Sequence, residues 1–161
     1  MKKNKIFVAC DATNTSKIKK IINSTQNSKI QIGYKFGLEF LNSKKGRSFL
    51  SKLKNKIIFA DLKLHDIPNT CASTVRAMKD LKINYLTIHI SSGLQALKAT
   101  KKVSGKIKLT GVTILTSLDN KSLKEIGFNR DIKNLVLHQA KLANKAKLDA
   151  IVCSAHEVKI V

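Results

Sequence analysis

Tryptophan is absent from this chain, proline occurs once, at Pro68, and glycine only 7 times in 161 residues. So little proline and glycine leaves no flexible linker. Residues 1–161 therefore read as a single domain, close to the soft prior of about 150 residues. Aromatic residues make up only 5%, which argues against a base-stacking platform for single-stranded nucleic acid. The 3 cysteines, Cys10, Cys71 and Cys153, are far apart and form no CxxC. That excludes a disulfide framework and a zinc-ligand spacing, and it fits a reducing cytoplasm. No apolar run approaches the roughly 18 residues of a membrane span. The apolar stretch Ile6 to Cys10 stops at Asp11, short of the roughly 7–15 residues in the core of a secretory leader. Neither GxGxxG nor GxxxxGK[ST] occurs, so the usual dinucleotide and P-loop readings lose support.

Acidic residues are also scarce: 10, against 31 basic ones, for a formal charge of +21. Only Arg47, Arg76 and Arg130 are arginine; the other basic residues are lysine. Abundant lysine, asparagine and isoleucine together are what an AT-rich genome produces. Base-reading proteins favour arginine for its bidentate contacts. The charge therefore reads as a solvated surface that attracts small anions such as phosphates, with no nucleic-acid partner.

What is present is an alternation. Short apolar runs at Ile6 to Cys10, Ile30 to Gly33, Ile57 to Ala60, Tyr85 to Ile90, Lys108 to Leu115 and Ala150 to Cys153 read as strands. Between them, residues 16–24, 35–53, 70–81, 93–102 and 132–146 carry apolar residues at helical spacing, and Ser154 begins another helix. Strands alternating with helices predict βαβ units and a parallel sheet. Six such units fit a doubly wound sheet or most of a (β/α)8 barrel, and the pattern alone does not choose.

The few acids have informative positions. Asp11, Asp61 and Asp66 fall at or just after the C-terminal ends of strands, the edge that hosts ligands and chemistry in α/β proteins. Asp61 and Lys63 are two apart, so on a regular strand they share a face. A lysine between two carboxylates is held as an ammonium, a proton donor rather than a Schiff-base amine. Spacing alone equally allows a salt-bridge cluster without chemistry.

The run Asp61-Leu-Lys63-Leu-His-Asp66-Ile67-Pro-Asn-Thr70 resembles the signature of the orotidine 5′-phosphate decarboxylase family. Ala9-Cys10-Asp11, Ile32-Gly33, Ile88-His89 with Ser92-Gly93, Val112 to Ser117, and Val152 to Ala155 resemble its other strand ends in order and spacing. The resemblance implies a (β/α)8 TIM barrel without cofactor or metal, cytoplasmic, and homodimeric with sites at the subunit interface. It also implies conversion of orotidine 5′-phosphate to UMP and CO2 in pyrimidine biosynthesis. On this resemblance Lys63 donates the proton to C6 of the pyrimidine, and Asp61 holds Lys63 beside the substrate carboxylate. Asp66 is contributed across the dimer, Asp11 binds ribose hydroxyls, Thr116 contacts the pyrimidine edge, and Ile67 and Thr70 complete the substrate contacts. Thr70 could also cap the helix after Pro68.

Two departures from the family pattern are expected. The family carries a lysine just before its second-strand Val/Ile-Gly; here that position is Gln31, with Lys29 two residues away and Lys35 beyond the strand. Gln31 would make the charged array one unit more negative and weaken anion binding. The chain also supplies about six βα units of eight, so the barrel reads as C-terminally incomplete, lacking the phosphate-binding loops after strands 7 and 8. Impaired turnover is the expectation for the 161-residue chain. Two other readings predict different behaviour. A sugar-phosphate decarboxylase or aldolase of the same superfamily would need a divalent metal. A non-catalytic basic protein would bind nucleic acid or a partner in a salt-dependent way.

Overall fold

The computed structural model describes residues 5–161. Six strands are present: β1 (Lys5–Ala9), β2 (Gln31–Gly37), β3 (Ile57–Leu64), β4 (Tyr85–His89), β5 (Lys108–Val112) and β6 (Ala150–Val152). Their order in the sheet is the order of the sequence, as right-handed βαβ crossovers produce. Seven α-helices connect them: α1 (Thr15–Thr25), α2 (Leu38–Leu41), α3 (Gly46–Lys52), α4 (Pro68–Ala77), α5 (Gly93–Ser104), α6 (Asn120–Glu125) and α7 (Ile132–Lys145). The sequential order of parallel strands places the fold in the (β/α)8 barrel class and removes the doubly wound alternative, whose strand order reverses at a switch point.

By internal packing the chain divides into two compact units. The first comprises the described residues up to Leu62 with Ala77–Leu86, and the second Lys63–Arg76 with Thr87–Val161. In the first unit β1 pairs in parallel with β2, Lys5 opposite Gln31 and Ala9 opposite Lys35. β2 then pairs with β3, Gly33 opposite Ile57 and Gly37 opposite Asp61. Tyr34, Phe36, Phe40, Ile18, Leu50 and Ile58 are fully buried. Gly33 makes room for Phe7: a Cβ there would lie 2.5 Å from its ring. α1 starts where Asn14 accepts the backbone N–H groups of Ser16 and Lys17, an ordinary N-cap. Its core-facing residues are Ile18 and Ile22, one turn apart.

The second unit packs Cys71, Ile88, Ile90, Leu97, Ala143 and Ala146 together. β5 pairs in parallel with β6, Thr110 opposite Ala150. Asp149 ties this edge down: its carboxylate accepts the Leu109 N–H at 2.8 Å and the Lys101 ammonium at 2.5 Å. Asp131 caps α7, and the Asn134 backbone N–H it accepts holds its carboxyl below the ordinary value.

Three expectations are corrected. The second strand does not end at Gly33 but runs to Gly37, because Tyr34 and Phe36, two apart, both go into the core. The single helix expected over 35–53 is two short ones. Gly46 permits the turn between them, since a Cβ there would lie 2.0 Å from the Phe40 carbonyl oxygen. After Ser154 there is only a 3-10 turn, Ala155–Glu157, closed by a reciprocal Ser154–Glu157 capping box. Helix α6 was not anticipated; Asp119 caps it by accepting the Ser122 N–H at 2.7 Å.

Candidate active site

The C-terminal ends of β1, β2 and β3 gather three of the charged residues in the first unit. Asp61 lies in the C-terminal half of β3 and is only 8% exposed. Lys35 projects from β2 and places its Nζ 3.4 Å from Asp61 Oδ2. The pair is partly buried, which strengthens it relative to an ion pair in open water. Asp11 follows β1 by two residues and is exposed. Its carboxylate sits against Gly37, where a Cβ would lie 3.2 Å from Oδ1. Gly37 thus leaves the carboxylate close to backbone beside the Asp61 register position. The Lys35 carbonyl accepts the Cys10 N–H at 2.8 Å, which fixes the exit of β1 at this end. Cys10 between them is an inert thiol: burial first, then the Asp11 charge, push its pKa up to about 11, against a smaller opposing effect of Lys35.

Gln31 belongs to the other end of the same strand. It is the first residue of β2, exposed and opposite Lys5. Six residues separate it from Gly37, about 20 Å of extended chain. Gln31 therefore stands at the opposite end of β2 from the strand end that carries the Lys35–Asp61 pair. The cation on β2 is Lys35, which lies inside the strand and not beyond it. Lys35-Phe36-Gly37 has the order of a lysine followed by an apolar residue and glycine. The signal was present in the sequence, in the continued alternation of Tyr34 and Phe36.

In the second unit, Lys63 is half-buried near the end of β3 with φ 48°. The same-face argument for positions 61 and 63 assumed extended backbone at both; the left-handed φ at Lys63 departs from it. The Lys63 backbone N–H donates to Thr87 Oγ1 at 2.8 Å, a partner that sequence reasoning missed. Asp66 is exposed, and its Oδ1 accepts the Ile67 N–H at 2.6 Å. Its carbonyl accepts the Cys71 thiol at 3.3 Å. Ile67 is 66% exposed, an unusual placement for isoleucine. Thr70 is not a cap: α4 begins at Pro68, so Thr70 lies in its first turn, where its carbonyl accepts the Thr74 hydroxyl. Proline suits that first position because the N–H it lacks would have no helical partner. Thr116 is exposed in the turn after β5.

His65 and His89 face each other with ring centroids 5.1 Å apart, and Ser91 Oγ lies 3.4 Å from His65 Nε2. A cavity of about 320 Å³ opens beside them, with Thr113, Leu115 and Gln139 in its wall. Gln139 Oε1 is buried there without a hydrogen-bond partner. Among the described residues, no group of three or more His, Cys, Asp or Glu side chains is placed to hold a metal ion. No helix among them is long and apolar enough to cross a membrane.

Sequential parallel strands alternating with helices, with charged residues toward their C-terminal ends, are the arrangement of a (β/α) barrel. Residues 4–161 match the Orotidine 5′-phosphate decarboxylase / HUMPS family, and the chain belongs to that family. It is 42% identical to an orotidine 5′-phosphate decarboxylase of Wolbachia sp. subsp. Brugia malayi, over 98% of this chain and 71% of the relative. It is 50% identical to that of Wolbachia pipientis subsp. Culex pipiens, over 79% of this chain and 58% of the relative. The fold superimposes on the crystal structure of orotidine 5′-phosphate decarboxylase from Lactobacillus acidophilus. That match has a TM-score of 0.85 and 33% identity, over 96% of this chain and 73% of that one. The chain thus spans between 58% and 73% of the length of these three proteins.

Proposed function

We propose that this protein is an orotidine 5′-phosphate decarboxylase, a cofactor-free carboxy-lyase that forms UMP and CO2. The observation that carries the reading is the Lys35–Asp61 ion pair at 3.4 Å, set at the head of the run Asp61-x-Lys63-x-x-Asp66 in a chain of this family. A paired and partly buried Asp61 is a fixed carboxylate. Fixed charges need no reorganisation as the reaction proceeds, which is what electrostatic catalysis requires.

In the proposed reaction the C6–carboxylate bond breaks, CO2 leaves, and the electron pair stays on C6 of the pyrimidine. The Lys63 ammonium stabilises that charge and then gives C6 a proton, ending as the neutral amine. Asp61 holds Lys63 and opposes the substrate carboxylate, so that loss of CO2 relieves a repulsion. Lys35, whose Nζ lies 3.4 Å from Asp61 Oδ2, holds Asp61 in place. Asp11 takes the ribose hydroxyls, and Thr116 the pyrimidine edge. Asp66, with Ile67 and Thr70, completes the site across a homodimer. Support for the last group is their exposure: Ile67 at 66% is an apolar side chain on the rim of a site. Residues 1–161 act as one domain in this reading, in the cytoplasm, without metal.

The test is UMP formation from orotidine 5′-phosphate by the protein expressed from its own gene. A protein that binds the nucleotide but leaves its carboxylate in place would overturn the assignment.

A further inference from the structure

We propose that Thr87 is a positioning residue for Lys63, holding the lysine in a left-handed backbone conformation that aims its ammonium. The proposal rests on the role given to Lys63 above and adds the element that orients it.

Four residues other than glycine have positive φ among those described: Asn55, Lys63, Lys82 and Lys147. Asn55 lies between α3 and β3, Lys82 follows a 3-10 turn, and Lys147 follows α7. At helix and turn exits a single left-handed residue is ordinary, because it closes the last turn. Lys63 alone lies inside a strand, β3. Any residue with a Cβ pays for this conformation through a clash with its own backbone. Such residues persist only where surrounding structure over-determines them, and they gather at functional sites.

What over-determines Lys63 is visible in β4. The Lys63 N–H donates to Thr87 Oγ1 at 2.8 Å, a distance of full strength for N–H···O. Thr87 is 0% exposed, and so are Leu86 and Ile88 on either side of it. Valine, of the same shape, would fill this site with no polar atom to satisfy. A hydroxyl sealed from water must be satisfied within the protein, and here its oxygen accepts the amide of the residue assigned to proton donation. Removing Oγ1 takes this acceptor from the Lys63 N–H. Lys63 is then free to fall back to extended φ, which turns its Cα–Cβ bond and swings a long side chain. Misplacing a reacting group by about 1 Å can cost on the order of 100-fold in rate.

The experiment compares Thr87→Val, which keeps shape and removes the acceptor, with Thr87→Ser, which keeps the acceptor. The three-bond coupling between the amide and α protons of Lys63 reports its φ directly. In Thr87→Val that coupling is expected to move to the extended-strand value, with kcat about 100-fold lower and KM within about 3-fold. Thr87→Ser is expected to restore both. Should Thr87→Val not fold, Thr87→Ala removes the same oxygen and carries the same comparison. An unchanged Lys63 coupling in the variant lacking Oγ1 would overturn the proposal. So would a changed coupling with unchanged kcat, or a loss of kcat that serine does not recover. If the unsubstituted protein forms no UMP, the decarboxylase reading fails separately. The coupling then decides whether Thr87 sets the Lys63 backbone.

Discussion

Lys35 and Asp61 meet across two strands without being register partners. Gly37, two residues after Lys35, is the one opposite Asp61, and the lysine reaches forward along the strand to place its Nζ 3.4 Å from the carboxylate. Glycine at 37 leaves room for the neighbouring Asp11 carboxylate, whose Oδ1 would lie 3.2 Å from a Cβ there.

That geometry separates two residues the sequence left in competition. Lys35→Gln should lower kcat for UMP formation by about 100-fold, the scale for removing one preorganised electrostatic group. Gln31→Ala, at the far end of β2, should leave it within about 2-fold. Steady-state kinetics on the two variants makes the comparison. The reverse order of effects would return Gln31 to the site.

Backbone strain at Lys63 predicts an inverted stability order. Glycine tolerates φ 48° where alanine does not, so Lys63→Gly should be more stable than Lys63→Ala by about 1 kcal/mol. Urea unfolding of both measures it. A more stable alanine variant would mean that residue 63 carries no left-handed strain.

The Cys10 thiol should report on the same region through pH. Its pKa is raised from the ordinary thiol value of about 9 to about 11, chiefly by burial, so the folded state keeps a proton that the unfolded chain has lost between those values. The stabilisation is fully present below about pH 9 and disappears as pH rises through about 11. Cys10→Ala should therefore flatten the fall in stability across that window, read as Tm against pH. Equal slopes with and without the thiol would show that it titrates normally.

Proton donation from a fixed ammonium needs no metal, and no cluster of ligands was found among the described residues. UMP formation should be the same before and after dialysis against EDTA. Loss of activity restored by Mg²⁺ would favour the metal-dependent branch of the superfamily.

The alternation of apolar runs and helical spacing was enough to foresee six βα units, because the inner strands β3, β4 and β5 bury consecutive residues and the longer helices between strands turn an apolar stripe to the core. It missed the length of β2. Gly33 reads as a strand terminator, yet it lies inside the strand because Phe7 needs the space a side chain would take. From that error followed the misplacement of Lys35 and the weight given to Gln31. Asp61, Lys63 and Asp66 were visible because they lie within ten residues of one another. Thr87 was not, because its role depends on a φ at Lys63 that no residue pattern around it announces. Helix α6 was hidden by its length: six residues give fewer than two turns of periodicity.

The most direct measurement is UMP formation from orotidine 5′-phosphate by the protein and by Lys63→Ala, each purified from expression of its own gene and shown to be folded. The account predicts decarboxylation by the first and a loss of at least about 1,000-fold in the second, since both charge stabilisation and proton donation go with the ammonium. Comparable rates in the two proteins would contradict it.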